Sequence, residues 1–126
     1  MPKSLKYCIQ HHFASHEHFD VRLEYKGVAK SWAVPKEPPK TEGVKRLAVQ
    51  VEDHQVSYMR FEGSIPEGQY GAGKVELWDT GTWEPESISK KKIVALIHGK
   101  KLKGRFTLVH FKEKNWLFFK SAEKKE

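Results

Sequence analysis

The sequence has a single cysteine, Cys8, among 126 residues. A disulfide within the chain would need two, so none can form, and the protein suits a reducing compartment. The chain also lacks any apolar run long enough to cross a bilayer, and it has no basic-then-apolar leader. We therefore expect a cytoplasmic protein with neither a membrane span nor a secretion signal.

Amphipathic helical periodicity is also missing from the chain. Short segments of alternating apolar and polar residues appear instead, with turn signals between them, which is typical of antiparallel strands. The predicted strands span residues 6–11, 18–25, 28–34, 46–52, 74–79, 82–84, 92–98, 104–110 and 115–120. Hairpin turns are predicted at three dipeptides, which are Lys26-Gly27, Thr80-Gly81 and Gly99-Lys100.

These strands predict an all-β fold in one domain that spans residues 1–120, followed by a charged tail at 121–126. We expect a small closed barrel of about eight antiparallel strands with little helix, because closure removes exposed strand edges. Three longer loops interrupt the pattern, at 36–44, 60–73 and 85–91. Polar residues on one face of several strands suggest a partly wet, functional interior or mouth.

The formal charge of +7 and the isoelectric point of about 9.5 favour a nucleic-acid partner, since neutralising phosphates releases counterions and drives binding. The alternative is a solvated basic surface of no specific function, because much of the excess lies in lysine runs. Those runs lie at residues 90–92, 100–103 and 124–125.

The side chains best suited to bind a metal ion or a phosphate lie between residues 12 and 22. In HFDVRLEY (18–25) polar and apolar residues alternate strictly, so His18, Asp20 and Arg22 share one face of a strand. A short loop can return His12 to the same side. Two imidazoles and a carboxylate suit manganese, iron or zinc and leave positions open for substrate. The alternative is a polar strand face that only meets solvent.

Two other histidines compete with this ligand set by proximity. His11 should point away from His12 if the strand runs that far, and His16 falls in the predicted loop. Arg22 beside a metal would bind a phosphate oxygen and stabilise its charge. The alternative for Arg22 is a salt bridge to Glu24 or to a neighbouring strand.

A second strand, RLAVQVEDH (46–54), places Arg46, Gln50 and His54 on one face by alternation. His54 could donate a proton to a leaving oxygen or hydrogen-bond a phosphoryl oxygen, with Tyr58 orienting it. The alternatives are a turn histidine and a packed aromatic ring. Lys36 is a candidate backbone-phosphate contact, or simply an exposed loop lysine.

One apparent motif is rejected. GQYGAGK (68–74) fits GxxxxGK, but Val75 follows where a P-loop needs Ser or Thr, and VELWD reads as a strand.

Cys8 lies in an apolar strand pattern and is expected in the core, so it is not a candidate nucleophile. Hydrolysis by metal-activated water is therefore the leading enzymatic hypothesis.

Several phrases in fixed order resemble the phosphoesterase module of DNA ligase D, here as a free-standing version. They are QHHFASHEHFDVRLEYKGVAKSWAVPK, KRLAVQVEDH, FEGSIPEGQYGAGKVELWDTGTWEPE and IHGKKLKGRFTLVHF. The resemblance covers residues 7–120. It implies a small β-barrel that trims DNA or DNA–RNA 3′ ends in repair, first removing a 3′ ribonucleoside and then the 3′-phosphate. Separate ligase and polymerase subunits of end joining would be its partners, with no membrane involved.

The resemblance also implies residue roles. The metal ligands would be His12, His18 and Asp20, with manganese preferred and other divalent transition metals compatible. Contacts to the scissile phosphate would come from Arg22 and His54, assisted by Tyr58. The diesterase step would be supported by Lys36 and Arg46, and more peripheral site positions would be Gln10 and Glu52.

Two other functions remain open from the residues. A basic barrel with aromatics can bind single-stranded nucleic acid without catalysis, and such binding would not respond to chelators. A cupin-like oxygenase also fits two histidines and a carboxylate, but the Arg and Lys residues around them suit phosphate. We expect the protein to be a monomer.

Overall fold

The computed structural model describes residues 4–122. Within this range the chain forms nine strands and one 3-10 helix. Their bounds are β1 Leu5–Phe13, β2 His18–Tyr25, β3 Val28–Val34, β4 Lys45–His54, the 3-10 helix Val56–Arg60, β5 Gly63–Ile65, β6 Gly73–Ile88, β7 Lys92–Gly99, β8 Lys103–Lys112 and β9 Asn115–Lys120. No helix in the described part is long and apolar enough to span a membrane.

Eight of the strands described in residues 4–122 close into an antiparallel barrel. The order is β1-β2-β3-β4-β9-β8-β7-β6, and a further pairing of β1 with β6 completes the circle. The short strand β5 adds to the outer edge of β6, where Ser64 pairs with Lys74. The predicted all-β barrel is thus confirmed.

The interior of the barrel is an apolar core. One cluster of buried side chains draws members from all eight barrel strands, so it can only lie inside. It includes Trp32, Trp83, Trp116, Tyr7, Phe106 and Phe118. In β1 and β2 the odd-numbered residues supply this core, and the even-numbered polar residues face outward. The prediction was that these polar residues belong to a partly wet interior or mouth of the barrel. It is wrong for the interior, because they lie on the outer face of the barrel wall.

Two of the three predicted hairpin turns are confirmed. Lys26 and Gly27 have φ angles of 51° and 84°, which suit a two-residue turn between β2 and β3. The chain also turns after Gly99, between β7 and β8.

The predicted turn at Thr80-Gly81 is wrong, because both residues lie inside the 16-residue strand β6. Gly81 pairs with Tyr7 on one side and Gly99 on the other. A Cβ atom at this position would lie 2.1 Å from the carbonyl oxygen of His98, so glycine is needed for close approach of the strands.

Two of the three predicted loops are shorter than the sequence suggested, whereas the segment 36–44 contains no strand between β3 and β4. Residues 85–88 belong to β6, and residues 63–65 form β5 inside the glycine-rich segment. Of the predicted tail, Ser121 and Ala122 follow β9, while residues 123–126 lie outside the described part of the chain.

Candidate metal centre

The β1–β2 hairpin brings the three predicted metal ligands together. In its register His12 lies opposite His18, and Gln10 lies opposite Asp20, so all four side chains share the outer face. One donor atom from each of His12, His18 and Asp20 lies within 4.8 Å of the others. His12 and Asp20 are buried, and His18 is partly exposed, so the cluster opens to solvent on one side.

Hydrogen bonds to main-chain carbonyls orient both imidazoles. His12 donates from Nε2 to the carbonyl oxygen of Gly71 over 2.7 Å, and His18 donates from Nδ1 to that of His16 over 2.8 Å. A carbonyl only accepts, so these nitrogens carry the protons. The remaining nitrogens face the carboxylate, with His12 Nδ1 at 3.8 Å from Oδ2 and His18 Nε2 at 3.3 Å from Oδ1 of Asp20.

This donor set fits a divalent cation. Each imidazole turns a ring nitrogen toward the carboxylate while its other nitrogen is held by a carbonyl, which is the usual second contact of a metal-bound histidine. Hydrogen bonding to Asp20 raises the pKa of His18, which reflects the negative charge that the cluster offers to a cation. Three protein ligands leave further coordination positions for substrate or water.

Arg22 lies next to this cluster on the same face of β2 and is held rigidly. Its Nε donates to Gln10 over 2.5 Å, one terminal nitrogen donates to Ser31 Oγ over 2.6 Å, and the other lies 3.5 Å from Asp20. Arg22 is only 3% exposed, so its orientation is set by these partners. The alternative of a salt bridge to Glu24 is wrong, since Glu24 accepts from the backbone of Lys6 instead.

An aromatic column covers Arg22. The guanidinium lies 5.0 Å from the ring centre of Tyr58, and the His54 ring stacks on Tyr58 at 4.7 Å with an interplanar angle of 24°. Burial and the positive charge of Arg22 lower the pKa of His54, so this imidazole is neutral near pH 7. His54 therefore offers a neutral hydrogen-bonding group beside a fixed cation.

A β-bulge brings His54 to this face. Ala29 pairs with His54 and Ser31 pairs with Val51, so β4 contains one residue more than β3 over this interval. Gln50 lies opposite Trp32, a core residue, and therefore faces inward. The prediction that Gln50 and His54 share a face is wrong, because it assumed unbroken alternation.

The other predicted positions divide into two groups. Gln10 is fully buried and accepts a hydrogen bond from Arg22. Within residues 4–122, Lys36, Arg46 and Glu52 have no hydrogen bond or ion pair to the ligand cluster or Arg22. Arg46 lies opposite the core residue Phe118 and donates to the carbonyl of Glu37, so it is directed away from the outer face.

The remaining histidine and cysteine predictions are confirmed. His11 points away from His12 and stacks between Phe13 and Phe19. His16 is exposed and contributes its carbonyl rather than its ring. Cys8 is buried, and burial raises the pKa of its thiol to about 12, which keeps it protonated and unreactive.

Sequence reasoning missed two residues that support the site. Ser31, which accepts a hydrogen bond from Arg22, could have been predicted, because a two-residue turn at Lys26-Gly27 sets a register in which Ser31 lies opposite Arg22. Gly71, which holds His12, lies 59 residues away in a glycine-rich segment, and nothing in the local pattern points to its carbonyl.

Comparison with known proteins identifies the family. Residues 10–110 match the family described as the DNA Ligase D 3′-phosphoesterase domain. The chain is 48% identical over 128 residues to the multifunctional non-homologous end joining protein LigD of Pseudomonas aeruginosa, which covers 94% of this chain and 15% of that protein. It is 43% identical over 131 residues to the protein of the same name from Mycolicibacterium smegmatis, covering 95% of this chain and 17% of the relative. The chain therefore spans a small part of these relatives, and it belongs to the DNA ligase D 3′-phosphoesterase domain family.

Proposed function

We propose that this protein is a manganese-dependent phosphoesterase that removes the phosphate from 3′ ends of DNA or DNA–RNA strands and leaves a 3′-hydroxyl. Broken ends in non-homologous end joining are its expected substrates, as the names of its relatives suggest. Removal of a terminal 3′ ribonucleoside is the accompanying diesterase activity. The observation that supports the proposal is the buried guanidinium of Arg22, held 3.5 Å from the Asp20 carboxylate, which together with His12 and His18 could hold a metal ion.

Two positive groups on one surface favour a phosphate between them. A divalent cation held by His12, His18 and Asp20 would supply Lewis-acid stabilisation of phosphoryl oxygens and activation of water. Arg22 would neutralise the charge that develops on the same phosphoryl group. Because Gln10 and Ser31 already fix its guanidinium, little reorganisation is needed when substrate binds.

His54 and Tyr58 complete the proposed phosphate site. Neutral His54 donates one ring N–H to a phosphoryl oxygen. The negative charge of the bound phosphate raises the pKa of His54, so the ring takes up a second proton from solvent, and the imidazolium then gives a proton to the leaving oxygen and returns to the neutral form. Tyr58 holds the imidazole by stacking and covers Arg22. Lys36 is proposed to contact the strand beyond the scissile phosphate in the diesterase step, and Glu52 is a peripheral site position. Arg46 is directed away from this face, so the predicted role of Arg46 in the diesterase step is not part of the proposal.

The experiment uses a primer that ends in a 3′-phosphate, with manganese present. The wild-type protein should release phosphate, and His18→Ala should reduce the rate by at least about 100-fold because it removes a ligand. His16→Ala is the matched control, because its main-chain carbonyl still accepts from His18. Equal phosphate release by wild type and His18→Ala would exclude the proposal, and so would binding of the primer without any release.

A further inference from the structure

Tyr70 is the most exposed of the large apolar side chains in residues 4–122. It is fully exposed, whereas Phe111, the next in order, is 55% exposed. A single exposed aromatic ring is ordinary on a protein surface, so exposure alone indicates no ligand. The position of Tyr70 is what matters, because it directly precedes Gly71, whose carbonyl oxygen accepts from Nε2 of His12 over 2.7 Å.

The loop that carries Tyr70 is closed at its base and ordered within. Ile65 pairs with Gly73 in the ladder of β5 and β6, so the residues between them form one short loop. Two main-chain hydrogen bonds of 3.3 Å and 3.1 Å close turns inside this loop, and Gln69 takes part in both. The backbone of Tyr70 is therefore held next to the candidate metal centre, while its ring is free to meet a ligand.

Two other apolar side chains lie on the same connection between the 3-10 helix and β6. A Cβ atom built on Gly71 would lie 3.7 Å from Cε1 of His12 and 3.8 Å from Cδ1 of Ile65, so these two side chains flank the same segment. The Phe61 ring stacks on Tyr58 with 5.3 Å between the ring centres. Phe61 and Ile65 are both partly exposed. The surface beside the candidate metal centre therefore offers apolar contacts on this side.

The composition of the loop indicates a base as its ligand rather than a phosphate. Residues 65–73, IPEGQYGAG, include no lysine or arginine, and their one charged side chain is Glu67, which repels a phosphate. The loop therefore adds no anion-binding side chain to Arg22. An exposed tyrosine ring suits a nucleobase, because every base has a flat face that can stack on an aromatic ring.

We propose that Tyr70 stacks on the base of the last nucleoside of the strand, while the 3′-phosphate of that nucleoside lies between the metal cluster and Arg22. This inference rests on the proposed function, which places the phosphate there. Consecutive Cα atoms are about 3.8 Å apart, so Tyr70 stands one residue from the carbonyl that orients His12. The terminal base is joined to its 3′-phosphate through a single sugar. Tyr70 thereby distinguishes the end of a strand from small phosphate esters, which have no base.

The test compares two primers that end in a 3′-phosphate, one complete and one in which a stable abasic sugar replaces the last nucleoside. Steady-state kinetics with manganese give KM and kcat. On the complete primer Tyr70→Ala should raise KM about tenfold and leave kcat within about twofold, because stacking stabilises the bound substrate and the transition state alike. On the abasic primer Tyr70→Ala and the wild type should have the same KM. Tyr70→Phe keeps the ring and should behave as the wild type on both primers.

Phe111→Ala is the matched control, because it removes another exposed aromatic ring, on β8, which lies opposite β2 in the order of the barrel strands. It should leave KM unchanged. If Tyr70→Ala raises KM equally on both primers, or if Phe111→Ala or Tyr70→Phe raises it as much, the proposal is overturned. Weaker manganese binding by Tyr70→Ala in calorimetry would also overturn it, because the substitution would then act by moving the Gly71 carbonyl.

Binding without hydrolysis separates this inference from the proposed function. With a chelator present, fluorescence anisotropy of the two labelled primers measures affinity alone. The wild type should bind the complete primer about tenfold more tightly than the abasic primer, and Tyr70→Ala should bind both alike. If the wild type shows no such preference, the role of Tyr70 is excluded even when phosphate is released. If the preference is present and depends on Tyr70 but no phosphate is released with manganese, base binding by Tyr70 is supported and the proposed function fails.

Discussion

Arg22 donates from Nε to Oε1 of Gln10 over 2.5 Å, and the same glutamine also hydrogen-bonds to the 3-10 helix that carries Tyr58. Its amide nitrogen donates to the carbonyl oxygens of Tyr58 at 2.8 Å and Phe61 at 3.2 Å. One buried side chain thus fixes both the guanidinium and the segment that carries Tyr58. The orientation of Arg22 and Tyr58, which are proposed to bind and cover the phosphate, depends on this link between β1, β2 and the 3-10 helix.

Replacing Gln10 should therefore damage stability and activity together. Gln10→Ala leaves the Arg22 Nε–H and two carbonyls without their buried partner, which should lower the free energy of unfolding by about 2–3 kcal/mol. The specificity constant, kcat/KM, on a 3′-phosphate primer should fall at least about tenfold. Urea unfolding and steady-state kinetics measure the two effects.

Ser31→Ala is the control for this prediction, because it removes one bond to Arg22 and leaves the 3-10 helix tethered. It should cost less stability than Gln10→Ala. Equal losses from both variants would contradict the view that Gln10 joins the two parts.

Gly71 should control metal affinity through the orientation of His12. Its φ angle is 78°, where an L residue is strained, and its carbonyl accepts from His12 Nε2. Gly71→Ala should cost about 1 kcal/mol, displace that carbonyl and weaken manganese binding on the order of tenfold. Calorimetry with manganese gives the affinity.

Gly27→Ala provides the matched comparison. Gly27 lies in the β2–β3 turn with a φ angle of 84°, and a Cβ atom added to it would meet no other atom within 4 Å. The backbone penalty is similar, but manganese affinity should not change. A similar loss of affinity in both variants would indicate a general loss of structure rather than a role of the Gly71 carbonyl.

The titration of His54 should occur below the ordinary imidazole pKa of about 6.5. Burial and Arg22 lower its pKa, outweighing the opposite effects of Asp20, Glu52 and Asp53. The unfolded chain therefore binds this proton more readily, so the free energy of unfolding decreases as pH falls through 6.5 toward the lower folded value. Above pH 6.5 the group has no effect on stability.

NMR titration of the His54 ring measures this pKa directly. Tyr58→Ala removes the stacked ring that contributes to burial, so the pKa of His54 should move back toward 6.5. A wild-type value at or above 6.5 would contradict the proposed environment of His54.

Local alternation was enough to predict β2 and the shared face of His18, Asp20 and Arg22 in the candidate metal centre. The bounds of β2 agree with the pattern, and the turn at Lys26-Gly27 sets its register with β3. These features depend on side-chain period and turn chemistry, which are properties of short segments. The convergence of His18, Asp20 and Arg22 follows from them.

Features that depend on distant packing could not be predicted in this way. The bulge in β4 turns His54 to the outer face, and it leaves no mark in the alternating residues. Gly81 looks like a turn residue, but the need for glycine comes from the His98 carbonyl on β7. Long-range geometry therefore decides which face a strand end presents.

Asp79 should be the strongest single support of the β7–β8 turn, independent of the site. It is 3% exposed and accepts from the Tyr7 hydroxyl at 2.8 Å and from four backbone N–H groups. Those N–H groups belong to Thr80, Lys100, Lys101 and Leu102. Burial and the negative charge of Asp79 raise the pKa of Tyr7, so its hydroxyl remains a donor.

Asp79→Asn should lower the free energy of unfolding by about 3 kcal/mol, because an amide nitrogen would face N–H donors where a carboxylate oxygen accepted them. Asp53→Asn makes the same chemical change in an exposed pair with Lys30 and should cost less than about 1 kcal/mol. Urea unfolding distinguishes the two. Manganese affinity should be unchanged in Asp79→Asn, since Asp79 contacts the core residue Tyr7 rather than the outer face. If the urea midpoint of Asp79→Asn equals that of the wild type, the β7–β8 turn does not need this carboxylate.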